Sequence, residues 1–564
     1  MLLELVVLAL VLWLAHYFHF RFLGLYEDDY SHTSPALGWD PSQLLDMSLR
    51  AFVAWNLGRP LGFALGPLLA FLGARLGGLS AIYVIGYLVQ ATNAFLFYFL
   101  LRRIGHGNIA FIGALIFAVF PADTTHIFLM HAFGLHTSLT LLLIATHCYL
   151  SGRKALAYAL SLGCLLIYES PYAVFLAVPL LLEPWDRELI RKLFRHAAVW
   201  FGILLAVIVI RGLLAEGRIE SLGSDGAALV TTWIHILAAL VIGPAVSLAL
   251  FWQGPSWTFS HWNAELTVVF LGCLVILFFI LSRSKLGFLE EETAGSFQIR
   301  LRAFGRALDR RFRVAHPRTA KLLVAAPVML SLAYAFSFTH FPPTVAFGRL
   351  TSVHLAAAFG GALFFAGLVS LFLSYARSHR MATAALVLLA AYLSWVLAYR
   401  FSIQQDFEKA WRNQQTFWAG VIQQVPDMTE GTIILVTRAG LPTTHFIETN
   451  SWADPVVLQQ IFRFPSGWQT PPRLFVVSSN WTKGVDREGD QILWRIPAAT
   501  WDAHWEALPD SNVVLLTMEN GSLVRQFGSI LMHRLPLNLK PLPSNAPPAW
   551  VHGALYPLLI SAGR

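Results

Sequence analysis

Apolar residues run along this chain in long unbroken stretches, without the one-faced or alternating patterns of soluble domains. Residues 2–20 (LLELVVLALVLWLAHYFHF) and 353–375 (VHLAAAFGGALFFAGLVSLFLSY) each supply the roughly 20 apolar residues that a helix needs to cross a bilayer. Further apolar runs fall at 79–101, 108–121, 130–150, 155–168, 171–183, 196–215, 229–251, 264–282, 322–340 and 381–400. The pattern predicts an α-helical polytopic membrane protein of about 11 spans. Between the first two runs, residues 41–57 carry Leu44, Leu45, Met47, Leu49, Phe52 and Val53 at helical spacing, and 60–74 are apolar but short. One or two helices lying along the membrane interface are expected there, with Trp39 and Trp55 at headgroup level.

After Arg400 the pattern changes. GTIILVTRAG (431–440), RLFVVSSN (473–480) and SNVVLLTMEN (511–520) are short β-branched runs, separated by helix-compatible stretches at 406–424 and 454–463. The division expected is a membrane module over 1–400 and a small α/β domain over 401–564, with an irregular Pro-rich tail at 535–548.

Composition agrees with a membrane protein: 56% of the 564 residues are hydrophobic and 13% charged, against roughly a quarter charged in soluble domains. The formal charge of +8 is read first as topology. Half of the 40 Lys and Arg residues lie in the connections 101–108, 151–154, 186–196 and 375–380 and in the basic segment 283–321, which the positive-inside rule assigns to the cytoplasm. The opposing loops 120–126, 168–171 and 340–352 carry only Arg349. Residues 22–78 and the 401–564 domain then face outward, although Glu4 and Arg21 locally favour the reverse. Parity requires one run not to cross, and 229–251, interrupted by Gly243-Pro244, is expected to be re-entrant or interfacial. The 283–321 segment suits an amphipathic helix on anionic lipid, not nucleic acid. Cys148, Cys164 and Cys273 lie inside apolar runs, which argues against disulfides and thiolate metal sites. The first run lacks a small-residue cleavage site and is expected to be an uncleaved anchor. Asn480-Trp481-Thr482 and Asn520-Gly521-Ser522 match the glycosylation sequon, which has meaning only in a eukaryotic host.

The candidate chemistry begins just after the first run. LGLYEDDYSH (23–32) sets Glu27, Asp28 and Asp29 side by side where like charges repel and lipid is near. A carboxylate there is suited to removing a proton from an attacking hydroxyl. Arg59 (NLGRPLG) and Arg349 (PPTVAFGRL), at outer membrane edges, offer the guanidinium fork that matches phosphate. His131, with His126 and His136 in THIFLMHAFGLHTS, is a further donor candidate, and His32 a helper for the base. The three histidines lack the i, i+4 spacing of a helical zinc motif. Asp123 (FPADTTH) reads as a helix cap or an active-site acid. Glu169 (LIYESPY), between short apolar runs, suits a water-filled cavity or a local hydrogen bond.

An acidic pair opening a long outer loop after one span, many further spans and an outer C-terminal domain resemble the GT-C glycosyltransferases, closest to bacterial relatives of the protein mannosyltransferases and lipid A aminoarabinose transferases. The resemblance implies a polyprenyl-phosphate-linked sugar donor, transfer to an extracytoplasmic hydroxyl on a glycolipid, envelope polysaccharide or protein, and Asp28 or Asp29 as base. It implies a multi-pass protein of the bacterial inner (plasma) membrane with its site outward. ADTT stands where the metal-dependent oligosaccharyltransferase branch has Asp-x-Asp, so a divalent metal stays possible, not implied. Two other readings fit a polytopic chain: a transporter or flippase of lipid-linked sugars, and a non-catalytic assembly subunit. No repeat relates the two halves, and the acids gather at one face, which favours the transferase over the transporter.

Overall fold

The structure is a computed structural model. It describes residues 1–55, 58–105, 107–182, 185–216, 226–283, 297–302, 309–314, 317–337, 343, 347–374, 379–437, 454–477, 485–488, 491–496, 504–509, 512–519, 521–532, 535–540 and 550–560. Residues 541–548 of the Pro-rich tail, both sequon asparagines and most of the 283–321 segment lie outside them, while Leu535–Asn538, expected to be irregular, is a strand antiparallel to Ser529–Met532. Two antiparallel strands, Phe297–Arg302 and Asp309–Val314, occupy that basic segment where an amphipathic helix was expected.

Helices α1 (Leu2–His16), α2 (Asp29–His32), α3 (Pro41–Ala54) and α4 (Pro60–Ile104) build the first third of the chain. Asp40 starts α3 with a capping box, its carboxylate accepting from Ser42 and Gln43 while Gln43 reaches back to the Asp40 N–H. Leu44 and Ala51 are buried, whereas Leu45, Leu49, Phe52 and Val53 form an exposed apolar stripe, as an interfacial helix requires. Helix α4 joins the expected interfacial segment to the next span, broken at Gly77–Gly78, where Gly78 has φ 67°. A side chain at Gly78 would be strained.

Next come α5 (Gly107–Ala118), α6 (Leu129–Phe133), α7 (Leu135–Leu150), α8 (Lys154–Ile167), α9 (Glu169–Phe175) and α10 (Pro179–Leu182). They are followed by α11 (Arg187–Leu213), α12 (Gly226–Ser256), α13 (Ala264–Arg283), α14 (Pro317–Leu332), α15 (Ala357–Ser374) and α16 (His379–Gln424). Among the described residues, six helices are long and apolar enough to cross a membrane, or seven if the bent pair ending in α15 counts as one span. The chain is an integral membrane protein. The difference from about 11 arises because several apolar runs fold as helices shorter than a bilayer, including α5, α8 and α14.

Two helices are continuous where the sequence pattern suggested a break. Helix α12 runs through Gly243-Pro244 without a break, long and apolar enough to cross. Gly243 serves contact, since a Cβ there would lie 2.2 Å from the buried ring of Tyr334. Proline is tolerated in such helices when neighbours satisfy the freed backbone groups. Helix α16, in turn, carries straight through residue 400 and makes 406–424 the continuation of a span.

The C-terminal region holds a four-stranded sheet. Ile433–Thr437 lies at its centre, parallel to Arg473–Val477 and Val513–Glu519, and Ser522–Gln526 adds antiparallel to the Val513 strand. The buried Ile433, Ile434, Leu435 and Val436 fit a strand covered on both faces. One apolar core fills the helical bundle; a second joins the first outer loop, α6, the end of α16 and this sheet.

Candidate active site at the outer edge of the bundle

The first outer loop is fastened to the extension of α16. Tyr26 Oη donates to the Phe407 carbonyl at 2.8 Å, Tyr30 Oη donates to Gln414 Oε1 at 2.5 Å, and Gln414 Nε2 donates to the Leu25 carbonyl at 3.1 Å. Gly24 lies against Trp411 so closely that a Cβ would sit 1.8 Å from the indole. From the C-terminal region, Gln460 Nε2 donates to the Tyr30 carbonyl at 2.7 Å.

Within this frame the three acids part. Glu27 adopts φ 44°, rare for a residue with a side chain. The turn sends Glu27 and Asp28 toward Arg349, with Asp28 Oδ2 2.9 Å from Nη2 and Glu27 Oε2 3.5 Å from Nη1. Asp29 points inward and is fully buried. Its Oδ1 accepts from the Met130 N–H at 2.8 Å and its Oδ2 from the Tyr26 N–H at 3.2 Å. Burial raises its pKa to about 7, against the pull of the Met130, Tyr26 and Leu129 amides. One guanidinium and a set of backbone donors thus offset the repulsion in the triplet.

Arg349 belongs to a 3-10 helix, Gly348–His354, laced to the second outer loop. The Gly348 N–H donates to Thr124 Oγ1 at 3.0 Å, and the Thr124 N–H donates to Thr351 Oγ1 at 2.9 Å. Arg59 caps α4 just before Pro60. It meets Glu169 Oε2 through both Nε and Nη2 at 2.9 Å and lies 4.0 Å over the Tyr168 ring. Arg211 reaches the other Glu169 oxygen at 3.5 Å and pairs with Glu216 at 2.7 Å. Sequence reasoning passed over Arg211, although a cation inside an apolar run is itself a signal.

Between the first half of α4 and the starts of α6 and α7 lies a narrow cleft with room for about 40 Å³. Phe63, Pro67, Phe133 and Ile167 give it apolar walls; Arg59 and His32 are its charged and titratable groups. Gly62 and Gly66 keep the α4 wall low. Burial holds the His32 imidazole below its usual pKa, while Asp28 pulls it up and Arg349 pushes it down. His32 lines the cleft, and its backbone N–H donates to the Asp28 carbonyl at 3.1 Å, so one helical turn joins the cleft to the Asp28–Arg349 pair. Met130, whose amide holds Asp29, lines the same cleft.

The structure thus pairs Asp28 and Glu27 with Arg349, and lines an apolar groove with His32 and Arg59, the latter held by Glu169 behind the wall. His131 is buried edge-on to Phe128 and is not among the residues lining the cleft. Asp123 is buried away from it, its Oδ1 accepting from the Thr125 N–H at 2.8 Å and hydroxyl at 2.7 Å. Such an arrangement can hold a lipid chain in the groove, meet an anionic headgroup with guanidinium, and present a carboxylate beside it.

No protein-family model and no curated protein matches the sequence. Among solved structures, the chain is similar to the crystal structure of ArnT from Cupriavidus metallidurans bound to undecaprenyl phosphate, at 12% identity and a TM-score of 0.37, over 85% of this chain and 86% of that one. A likeness of that size carries no chemistry from one protein to the other.

Proposed function

We propose that this chain is a GT-C-type membrane glycosyltransferase that moves a sugar from a polyprenyl-phosphate donor to a hydroxyl acceptor on the outer side of a bacterial plasma membrane. The observation that carries the reading is the apolar cleft with Arg59 on its wall and the Asp28–Arg349 pair joined to it through His32. A prenyl chain would lie along Phe63, Pro67 and Phe133, placing its phosphate near the guanidinium groups.

Asp28 is the base and Asp29 a positioning residue. Both Asp29 oxygens are occupied by backbone amides and the side chain is sealed from solvent, whereas Asp28 is only partly buried. In the transfer, the acceptor oxygen bonds to the anomeric carbon and its proton passes to the Asp28 carboxylate. The bond from that carbon to the phosphate oxygen breaks, and its electron pair leaves with the phosphate. Arg349 and Arg59 stabilise that charge as it develops. Direct displacement inverts the anomeric centre.

The test is transfer by the purified protein from polyprenyl-phosphate sugars, with donor binding measured separately. Asp28→Asn is expected to lower turnover by about 10²-fold or more while donor still binds. Arg59→Ala is expected to weaken donor binding by about tenfold, the cost of one charge-assisted contact. Full turnover in Asp28→Asn refutes the base assignment, and undiminished binding in Arg59→Ala refutes the cleft as the donor's seat.

A further inference from the structure

A second cavity, of about 20 Å³, lies beneath the loop between α5 and α6 and shares no lining residue with the cleft. Asp123 and His126, from the loop between α5 and α6, face His136 of α7 across it. One ligand atom from each of the three lies within 4.8 Å of the others. The sequence spacing gave no zinc signal, because that motif assumes a single helix; here a loop and a helix bring the residues together.

The hydrogen-bond inventory leaves acceptors unspent. Asp123 Oδ1 is satisfied by Thr125; Oδ2 is buried without a hydrogen-bond partner, 3.8 Å from His126 Nδ1, and His136 Nε2 lacks one too. Gln90 lines the same cavity, and its Nε2 donates to the His126 carbonyl at 2.8 Å. That bond fixes the amide and leaves Oε1 as another buried acceptor without a partner. Carboxylate and amide oxygens accept only, and burying them unsatisfied is unfavourable. The His126 ring is held in place, stacked on His16 at 4.1 Å with Nδ1 3.1 Å from the Asp123 carbonyl.

We propose that Asp123, His126 and His136 bind one divalent transition-metal ion of the zinc class, with Gln90 Oε1 as a further oxygen donor. Two imidazoles and a carboxylate suit Zn²⁺ or Co²⁺; Mg²⁺ and Ca²⁺ call for oxygen ligands. Arg400 donates to the Asp123 carbonyl and does not line the cavity. Its charge weakens the pull on a cation without filling the space. The ion would tie the second outer loop, and through Thr124 the Arg349 helix, to α7. It stands apart from the transferase reading, because its readout is not activity.

Full-length protein in detergent is stripped with a chelator and titrated with Co²⁺. The expected result is a saturable visible absorption at one equivalent, displaced by Zn²⁺, with the apparent affinity lowered at least about tenfold in Asp123→Asn and in His136→Gln. His147→Gln, on the same helix but away from the cavity, is expected to titrate as wild type. A wild-type titration with no saturable band overturns the proposal, even if the variants fail to fold. So does unchanged Co²⁺ affinity in both ligand variants, which would leave water as the occupant.

Discussion

Asp28 and Asp29 are neighbours in sequence and opposites in setting. Asp29 binds its proton more tightly in the folded protein, at about 7 against a usual 3.8. The native state therefore holds more protons than the unfolded chain between those values. Its contribution to stability is fully present below about 4, falls as pH rises toward about 7, and is flat above. Thermal unfolding across that range is expected to show this decline in the wild type, and Asp29→Asn to remove a component on the order of a few kcal/mol. An identical pH slope in the variant would contradict the assignment. The triplet was legible in the sequence as a candidate because acids near lipid are uncommon. Which member turned inward was not, because that depends on the left-handed turn at Glu27 and on amides about a hundred residues away at Met130.

At the scale of elements, the first outer loop depends on a close approach that only glycine allows. Gly24→Ala would drive a methyl into Trp411, which sits in a rigid part of α16. A loss of about 3 kcal/mol or more is expected, measured by thermal unfolding, together with lower transfer. Trp411→Leu in the same chain should recover part of the loss, giving a non-additive pair. If the two losses simply add, the contact does not set the loop's position. Helix α3 was readable from its apolar spacing and α1 from its apolar run. Gly243-Pro244 misled because glycine beside proline signals a break in water, whereas inside a bundle it makes room for Tyr334. The His126–His136 pairing was hidden for a related reason: spacing arguments describe one helix, and the fold joined two elements.

On the scale of the whole molecule, helix α16 runs without a break through the change in composition at residue 400. Phe407, Trp411 and Gln414 lie beyond that point and hold the acidic loop. A chain ending at residue 400 is therefore expected to lose polyprenyl-phosphate binding as well as transfer, even if the sheet has no part in chemistry. A binding assay on the truncated chain decides this, and full binding would show that the loop stands without its post.

The uninterrupted course of α16 has a mechanical corollary. From residue 401 to 424 the rod rises about 36 Å at 1.5 Å per residue, with no break in the helix. The sheet is carried like a lamp on a mast, at a set height and bearing. A large acceptor resting on it would meet the reacting groups at a distance fixed by the length of one helix.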